Sequence, residues 1–275
     1  METNLPDMKP KEQRIIFLNS YLPRTGHNFS SQALQVFSGH QVLSHSHSET
    51  RLSRILDSYY NVTDRLIYHQ TAKDFMDGLF IDDLRRNILR ESSKSYVMIK
   101  DTSFIGVRGL KRTFPDDIHL ILIRDPKNVF NSLIKGMNLK KPGLKNYLKK
   151  VGNKTGLYPW YYSRKLSKQV IREMPDLSQR TIIRYEDLVQ KNEGLLKELK
   201  KMFETDKNLE QIKKEIDEIK VINSSFFEEV GAKTIWDVQP KTKNFDPINR
   251  KSNTWLIRKG IELGSRKLRK KLNYI

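Results

Sequence analysis

Ile118-His-Leu-Ile-Leu-Ile123, followed at once by Arg124-Asp-Pro-Lys-Asn-Val-Phe-Asn-Ser132, is the stretch that decides the fold. The apolar run predicts a buried strand, and the segment behind it predicts a helix that begins near the arginine. Such a helix returns the hydroxyl of Ser132 towards the guanidinium of Arg124 and towards its own unsatisfied backbone N–H groups. A planar cation, a helix N-terminus and a neutral donor together predict a phosphate site. A surface Arg–Asp pair at a helix start is the alternative.

A second strand and loop of this kind lie near the start of the chain. Arg14-Ile-Ile-Phe-Leu-Asn-Ser20 predicts a buried strand, the loop Tyr21-Leu-Pro-Arg-Thr-Gly follows, and apolar residues at helical spacing come next. Gly26 lets backbone N–H groups approach an anion, while Arg24 and Thr25 add a charge and a hydroxyl. The chain contains no G-x-x-x-x-G-K-[ST], so the lysine and the metal-binding hydroxyl of an ordinary nucleoside triphosphatase are missing.

Strand-like runs alternate with helical stretches, which predicts the α/β class, a three-layer α/β/α arrangement around a central parallel sheet. Ligands of such sheets bind beyond the carboxyl ends of the strands, where both anion-binding loops would lie. We expect one domain over residues 1–275, with 221–260 as a flap or C-terminal closing segment. The strand-like runs are 14–20, 95–100, 118–123 and 180–185, with 41–43 as a further short one.

The chain carries a formal charge of +19 and no cysteine. This charge suits an anionic substrate, a nucleic acid or a membrane surface, and a lysine-rich surface without a specific partner is the plain alternative. The lack of cysteine excludes disulfides and thiol catalysis. No apolar run reaches the roughly 20 residues of a membrane span, and residues 1–10 lack a signal-peptide core. Because no nucleic-acid-binding motif accompanies the charge, we expect no nucleic-acid partner. The missing span, signal-peptide core and cysteine lead us to expect a cytoplasmic enzyme.

Three segments, in this order, resemble the hallmarks of sulfotransferases that use 3′-phosphoadenosine 5′-phosphosulfate (PAPS). Pro23-Arg-Thr-Gly26 is similar to their 5′-phosphosulfate loop, commonly P-[KR]-[ST]-G-T-T, and Arg124 with Ser132 is similar to their 3′-phosphate motif. Ile183-Arg-Tyr-Glu-Asp-Leu-Val189 resembles the third hallmark, a strand ending in Y-E-D-L. The resemblance implies the P-loop NTPase-like sulfotransferase fold, PAPS as the donor and no metal.

Two further segments resemble tyrosylprotein sulfotransferases in particular. Ser48-Glu-Thr-Arg51 is similar to their E-T-R segment, and Met98-Ile-Lys-Asp-Thr-Ser-Phe104 is similar to their N-K-D-P-F segment. This correspondence implies that Glu49 is the catalytic base. It also implies that Lys100 and Arg24 are the catalytic cations that contact the transferring sulfuryl group.

The chain departs from the family pattern at several positions, which leaves the base and the acceptor open. His27-Asn28 stands where the family has Thr-Thr, Thr102 replaces the proline, and the arginine after Glu49 comes one residue earlier. Glu49 could instead be a carboxylate that complements a helix N-terminus. The other candidates for the base are His27, His45, His47 and Asp101.

The resemblance also implies which residues hold the nucleotide. Arg124 and Ser132 would bind the 3′-phosphate, and Tyr185 would lie near the adenine. Arg250-Lys251 resembles a segment that closes over the nucleotide, and Arg258-Lys259-Gly260 is a competing match. The residues implied to bind the 5′-phosphosulfate end are Arg24, Thr25, Gly26, His27, Asn28 and Phe29.

We therefore predict a sulfotransferase that moves a sulfuryl group from PAPS to a hydroxyl group by in-line transfer with a general base. Peptide tyrosine, carbohydrates, lipids and small metabolites are all open as acceptors, and the sequence does not predict an oligomeric state. A P-loop-like nucleotide kinase or nucleotide-binding protein is the alternative function. A basic nucleic-acid-binding protein is a further alternative.

Overall fold

The computed structural model describes residues 12–43, 50–66, 70–137, 143–178, 180–221 and 253–275, together with 233–234, 237–238 and 248. The strands of these ranges are β1 (Arg14–Ser20), β2 (Gln41–Val42), β3 (Tyr96–Asp101), β4 (Ile118–Ile123) and β5 (Thr181–Arg184). The helices are α1 (His27–Ser38), α2 (Leu52–Thr63), α3 (Gln70–Phe80), α4 (Leu84–Arg90), α5 (Val107–Thr113), α6 (Pro126–Lys135), α7 (Leu144–Lys154), α8 (Leu157–Glu173), α9 (Tyr185–Val189), α10 (Glu193–Phe203), α11 (Leu209–Asp217) and α12 (Trp255–Lys271).

The five described strands form one all-parallel sheet in the order β2-β3-β1-β4-β5. β1 lies in the middle, with Leu18 opposite Lys100 of β3 and Ile16 opposite Ile118 of β4. The loops that follow β3, β1 and β4 therefore leave the carboxyl edge side by side. The predicted α/β class with a central parallel sheet is confirmed.

Helices cover both faces of this sheet, as predicted for a three-layer arrangement. Leu18 and Met98 face a cluster with α1, α10 and α11, whereas Phe17 and Ile99 face the opposite cluster with α2 and α5. Further along the second face, Ile121 packs with α6, α8 and α12. Successive strand residues point to opposite faces, so burial on both sides requires the continuous apolar runs seen in the sequence.

The C-terminal helix α12 packs closely on α8. A Cβ atom on Gly260 would lie 2.2 Å from the carbonyl oxygen of Gly156, so the two helix backbones meet at small residues. Residues 255–260, the end of the segment expected to form a flap, belong to α12, and most of 221–254 lies outside the described residues. Within the described ranges, no helix has both the length and the hydropathy to cross a membrane.

Candidate functional site

The loop between β1 and α1 is turned by two residues in the left-handed region. Arg24 has φ 72° and Gly26 has φ 110°. Between them, Thr25 is buried and its hydroxyl donates to the carbonyl oxygen of Leu22 at 2.6 Å. A Cβ atom on residue 26 would lie 2.3 Å from the ring of Tyr185, so this position requires glycine. The turn places the N-terminus of α1, with its unsatisfied backbone N–H groups, at the carboxyl edge of the sheet.

Two arginines from separate loops lie against each other at this edge. Arg24 donates from Nε to Oγ of Ser132 at 3.2 Å, and Arg124 donates from Nη1 to the carbonyl oxygen of Arg24 at 3.3 Å. Burial lowers the pKa of Arg24, and repulsion from the Arg124 guanidinium lowers it further. An anion bound here would offset that repulsion. The structure thus brings the two predicted phosphate motifs to one place.

The ring of Tyr185, the first residue of α9, lies between the two arginine-bearing loops. The guanidinium carbon of Arg124 stands 4.2 Å from the ring centroid, a cation–π distance. Phe29 of α1 meets the same ring edge-on, with the centroids 5.6 Å apart. Tyr185 therefore joins the β1–α1 loop to the β4–α6 loop. Its expected position near an adenine stays a prediction.

Lys100 adds a third cation from β3. Its side chain is 2% exposed, and Nζ donates to Oδ1 of Asn28 at 3.5 Å. Asn28 is the second residue of α1, so the lysine lies near the helix N-terminus that Gly26 precedes. The helix dipole opposes a cation at that position, and a bound anion would stabilise both.

His27, the first residue of α1, is buried, and neither of its ring nitrogens has a hydrogen-bond partner among the described residues. Burial lowers its pKa to about 3, with a further contribution from the charge of Lys100. The ring is therefore neutral at physiological pH. Its backbone N–H, at the helix N-terminus, is the group that suits an anion.

Asp101 is the second candidate for the base, after His27, that lies within the described residues. It is 4% exposed and accepts a hydrogen bond from Oγ of Ser53 at 2.5 Å. Burial raises its pKa, against the opposing effect of the Ser53 hydrogen bond. Since neighbours on a strand face opposite sides, Asp101 contacts α2 while Lys100 contacts α1, so the carboxylate points away from the lysine. Three other candidates lie outside the described residues, namely Glu49, His45 and His47.

A largely buried network that the sequence did not predict lies behind the β4–α6 loop. The carboxylate of Asp125 pairs with the guanidinium of Arg269 in α12 through contacts of 2.9 and 3.2 Å. The backbone N–H of Asp125 donates to Glu186 at 2.9 Å, and the second carboxylate oxygen of Glu186 accepts from the Tyr274 hydroxyl at 2.8 Å. The network fastens α12 and the turn after it to the start of α6.

Tyr21, also not predicted from the sequence, holds the backbone of Arg124. Its hydroxyl donates to the carbonyl oxygen of Arg124 at 2.7 Å. Burial raises its pKa well above the ordinary tyrosine value, so the hydroxyl stays protonated and remains a donor. An aromatic residue directly after a buried strand was the only signal in the sequence.

The two candidates for the segment that closes over the nucleotide, 250–251 and 258–260, have different outcomes. Arg250 and Lys251 lie outside the described residues. Close behind them, Asn253 donates from Nδ2 to both the carbonyl oxygen and Oδ1 of Asn131 in α6, each at 3.1 Å. The competing match is part of α12, where Lys259 forms an exposed ion pair with Glu262 at 3.1 Å. All three residues of that triplet are helical, and Gly260 is buried against Gly156.

Comparisons with known proteins give similarity of structure only. No protein-family model matches the chain, and no curated protein matches it. A sulfotransferase domain from the curacin biosynthetic pathway is similar with a TM-score of 0.45 and 14% identity, over 96% of this chain and 99% of that one. The sulfotransferase domain of the Synechococcus PCC 7002 olefin synthase has the same TM-score and identity, with 98% of each chain covered. Mouse sulfotransferase SULT7A1 complexed with PAP also has a TM-score of 0.45 and 14% identity, over 97% of this chain and 90% of that chain. At these values the function has to be argued from the residues of the site.

Proposed function

We propose that the protein is a sulfotransferase that takes a sulfuryl group from PAPS and transfers it to a hydroxyl group. The observation that carries the proposal is the convergence of Arg24, Lys100 and Arg124 at the carboxyl edge of three neighbouring strands. The donor has anionic groups at both ends of one adenosine, and two separate anion-binding loops would suit such a molecule. The G-x-x-x-x-G-K-[ST] lysine of a triphosphatase is absent from the sequence.

Each end of the donor has a proposed set of partners. Arg124 and Ser132 would hold the 3′-phosphate, and the backbone N–H groups at the start of α1 would hold the 5′-phosphosulfate. Tyr185 would contact the adenine from between the two loops. Arg250 and Lys251 would close over the nucleotide, a role that rests on the sequence resemblance alone.

In the proposed reaction the acceptor oxygen forms a bond to sulfur while the bond from sulfur to the 5′-phosphate oxygen breaks. The acceptor proton goes to a base, and adenosine 3′,5′-bisphosphate leaves. Arg24 and Lys100 would stabilise the negative charge that develops on the leaving phosphate oxygen. Removing one such preorganised donor typically lowers a rate by about 10²–10³-fold.

Glu49 remains the proposed base. A histidine whose pKa is about 3, as for His27, is a weak proton acceptor at neutral pH. The carboxylate of Asp101 is engaged with Ser53 on the other side of β3. These two observations leave Glu49, His45 and His47 as candidates. Of these, Glu49 is the one that the resemblance implies.

Finer points of the function also stay predictions. The likeness to tyrosylprotein sulfotransferases, and with it a tyrosine acceptor, rests on the segments around Glu49 and Lys100. The cytoplasmic location rests on the sequence alone.

Binding of adenosine 3′,5′-bisphosphate, adenosine 5′-monophosphate and ATP with magnesium, measured by calorimetry, tests the donor site. We expect the bisphosphate to bind tightest, because only it engages both loops. Arg124→Ala should weaken bisphosphate binding by about 10²-fold or more, since it removes one partner of a partly buried charge contact. The same change should leave the monophosphate affinity nearly unaltered.

Arg86→Ala is the matched control, because Arg86 is an exposed arginine that forms a surface ion pair with Asp83. It should bind all three nucleotides like the unaltered protein. Tighter binding of ATP than of the bisphosphate, or equal losses in the two arginine variants, would refute the proposed donor. A duplex DNA that competes with the bisphosphate would favour a nucleic-acid-binding protein.

A further inference from the structure

Helix α7 exposes an apolar face to solvent. Tyr147, Leu148 and Val151 follow Leu144 by three, four and seven residues, which places all four on one side of the helix. Their exposed fractions are 75, 62, 62 and 45%. Exposing a row of four large apolar side chains to water costs free energy, and such a patch is typical of an interaction surface.

Lysines border this face along one side. Successive residues of a helix are rotated by about 100°, so Lys154 lies at one edge of the apolar row and Lys150 lies just beyond it. Lys149 points to the other side of the helix, where its Nζ stands 5.9 Å from the ring centroid of Tyr158 in α8. The helix contains no acidic residue. A short helix with an apolar face and lysines along its edge is the pattern of segments that lie in a lipid–water interface.

Exposed apolar side chains also occur on α8, which is separated from α7 by two residues. Leu157 and Tyr161 are 67 and 55% exposed and stand four residues apart on one side of α8. Trp160, also exposed, carries the guanidinium of Arg164 at 5.2 Å from its ring. Aromatic rings beside cationic groups are typical of the headgroup level of a bilayer.

We propose that the apolar face of α7, formed by Leu144, Tyr147, Leu148 and Val151 with its bordering lysines, docks on an anionic lipid bilayer, and that the exposed apolar side chains of α8 add to this contact. Charge selects this occupant. A second copy of the chain would bring another +19 to the contact, and its lysines would meet lysines. An anionic headgroup layer instead supplies opposite charge at the edge of this face, where lysine stems can lie along the apolar row with their ammonium groups outward. The proposal is independent of the reaction that the protein catalyses.

Co-sedimentation with sucrose-loaded vesicles tests the proposal, with phosphatidylcholine alone compared with phosphatidylcholine and phosphatidylglycerol at 7:3. The unaltered protein should bind the anionic vesicles and not the neutral ones, and added salt should weaken binding. Leu148→Glu should lower the partition coefficient by at least about tenfold. Lys150→Gln with Lys154→Gln should lower it by about fivefold for each lysine.

Phe75→Glu is the matched control, because Phe75 on α3 is 65% exposed and its helix lies elsewhere in the sequence and fold. It should bind vesicles normally. All variants should match the unaltered protein in melting temperature or in affinity for adenosine 3′,5′-bisphosphate. Either match shows that a loss of vesicle binding does not come from misfolding. Absence of binding to anionic vesicles, or equal losses in Leu148→Glu and Phe75→Glu, would overturn the proposal. So would a dimer in light scattering that Leu148→Glu converts to a monomer without any change in vesicle binding.

Discussion

At the scale of single residues, Gly26 carries the tightest constraint in the candidate site. The sequence predicted a glycine that admits an anion to the backbone, and the positive φ agrees with that role. What it did not predict is the aromatic ring of Tyr185 directly against the Cα atom. The two residues are far apart in sequence, and no local pattern records that they touch.

Gly26→Ala should therefore destabilise the protein more than the same substitution at a left-handed glycine that has open space around it. Gly39→Ala is the comparison, because Gly39 has φ 59° and open space around it. The strained backbone alone should cost Gly39→Ala roughly 1–2 kcal/mol, whereas overlap with Tyr185 should cost Gly26→Ala about 1–3 kcal/mol more. Chemical denaturation measures both. Equal losses in the two variants would mean that the ring moves away freely.

At the scale of helices and strands, local pattern predicted most of the sheet. The runs 14–20 and 118–123 are strands with those bounds, and 95–100 and 180–185 are correct to within one residue at each end. Continuous burial on both faces makes such runs apolar throughout, so they stand out in the sequence. Arg269 could not be found in this way. It lies in the basic run 266–271 and reaches Asp125 across 144 residues of chain.

The pair of Asp125 and Arg269 should stabilise the contact between α6 and α12 strongly, because both side chains are nearly excluded from water. Arg269→Ala leaves a buried carboxylate without its cation, and it should lower the free energy of unfolding by about 3–5 kcal/mol. Lys259→Ala, which breaks the exposed pair with Glu262, should change it by less than about 1 kcal/mol. Urea denaturation of the two variants provides the measurement. Similar small changes in both would show that the buried pair contributes little.

At the scale of the whole molecule, the buried His27 and His40 and the half-buried His119 make stability depend on pH. Burial lowers the pKa of His27 to about 3 and the pKa values of His40 and His119 to about 4. In the unfolded chain each should titrate near the ordinary value of about 6.5. Because the unfolded state then binds more protons, the stabilisation is complete above about pH 6.5 and is lost as the pH falls towards 3–4.

Between pH 7.5 and 5.0 each buried histidine should therefore remove about 2 kcal/mol from the free energy of unfolding. The double variant His27→Gln and His40→Gln should lose correspondingly less over this interval, whatever its stability at pH 7.5. Denaturation curves at both pH values give the two slopes. Parallel pH profiles for the variant and the unaltered protein would contradict the effect of burial on these side chains.

The order of the sheet has a consequence for how the site would bind an anion. Arg24 and Arg124 lie in the loops after β1 and β4, and Lys100 lies near the end of β3. These three strands are adjacent at the centre of the sheet, and their amide hydrogens should be among the last to exchange with solvent. Such a frame keeps the backbone positions of these three residues close together. The repulsion from Arg124 that helps to lower the pKa of Arg24 should therefore be relieved when an anion binds, and this relief should add to the affinity for the anion.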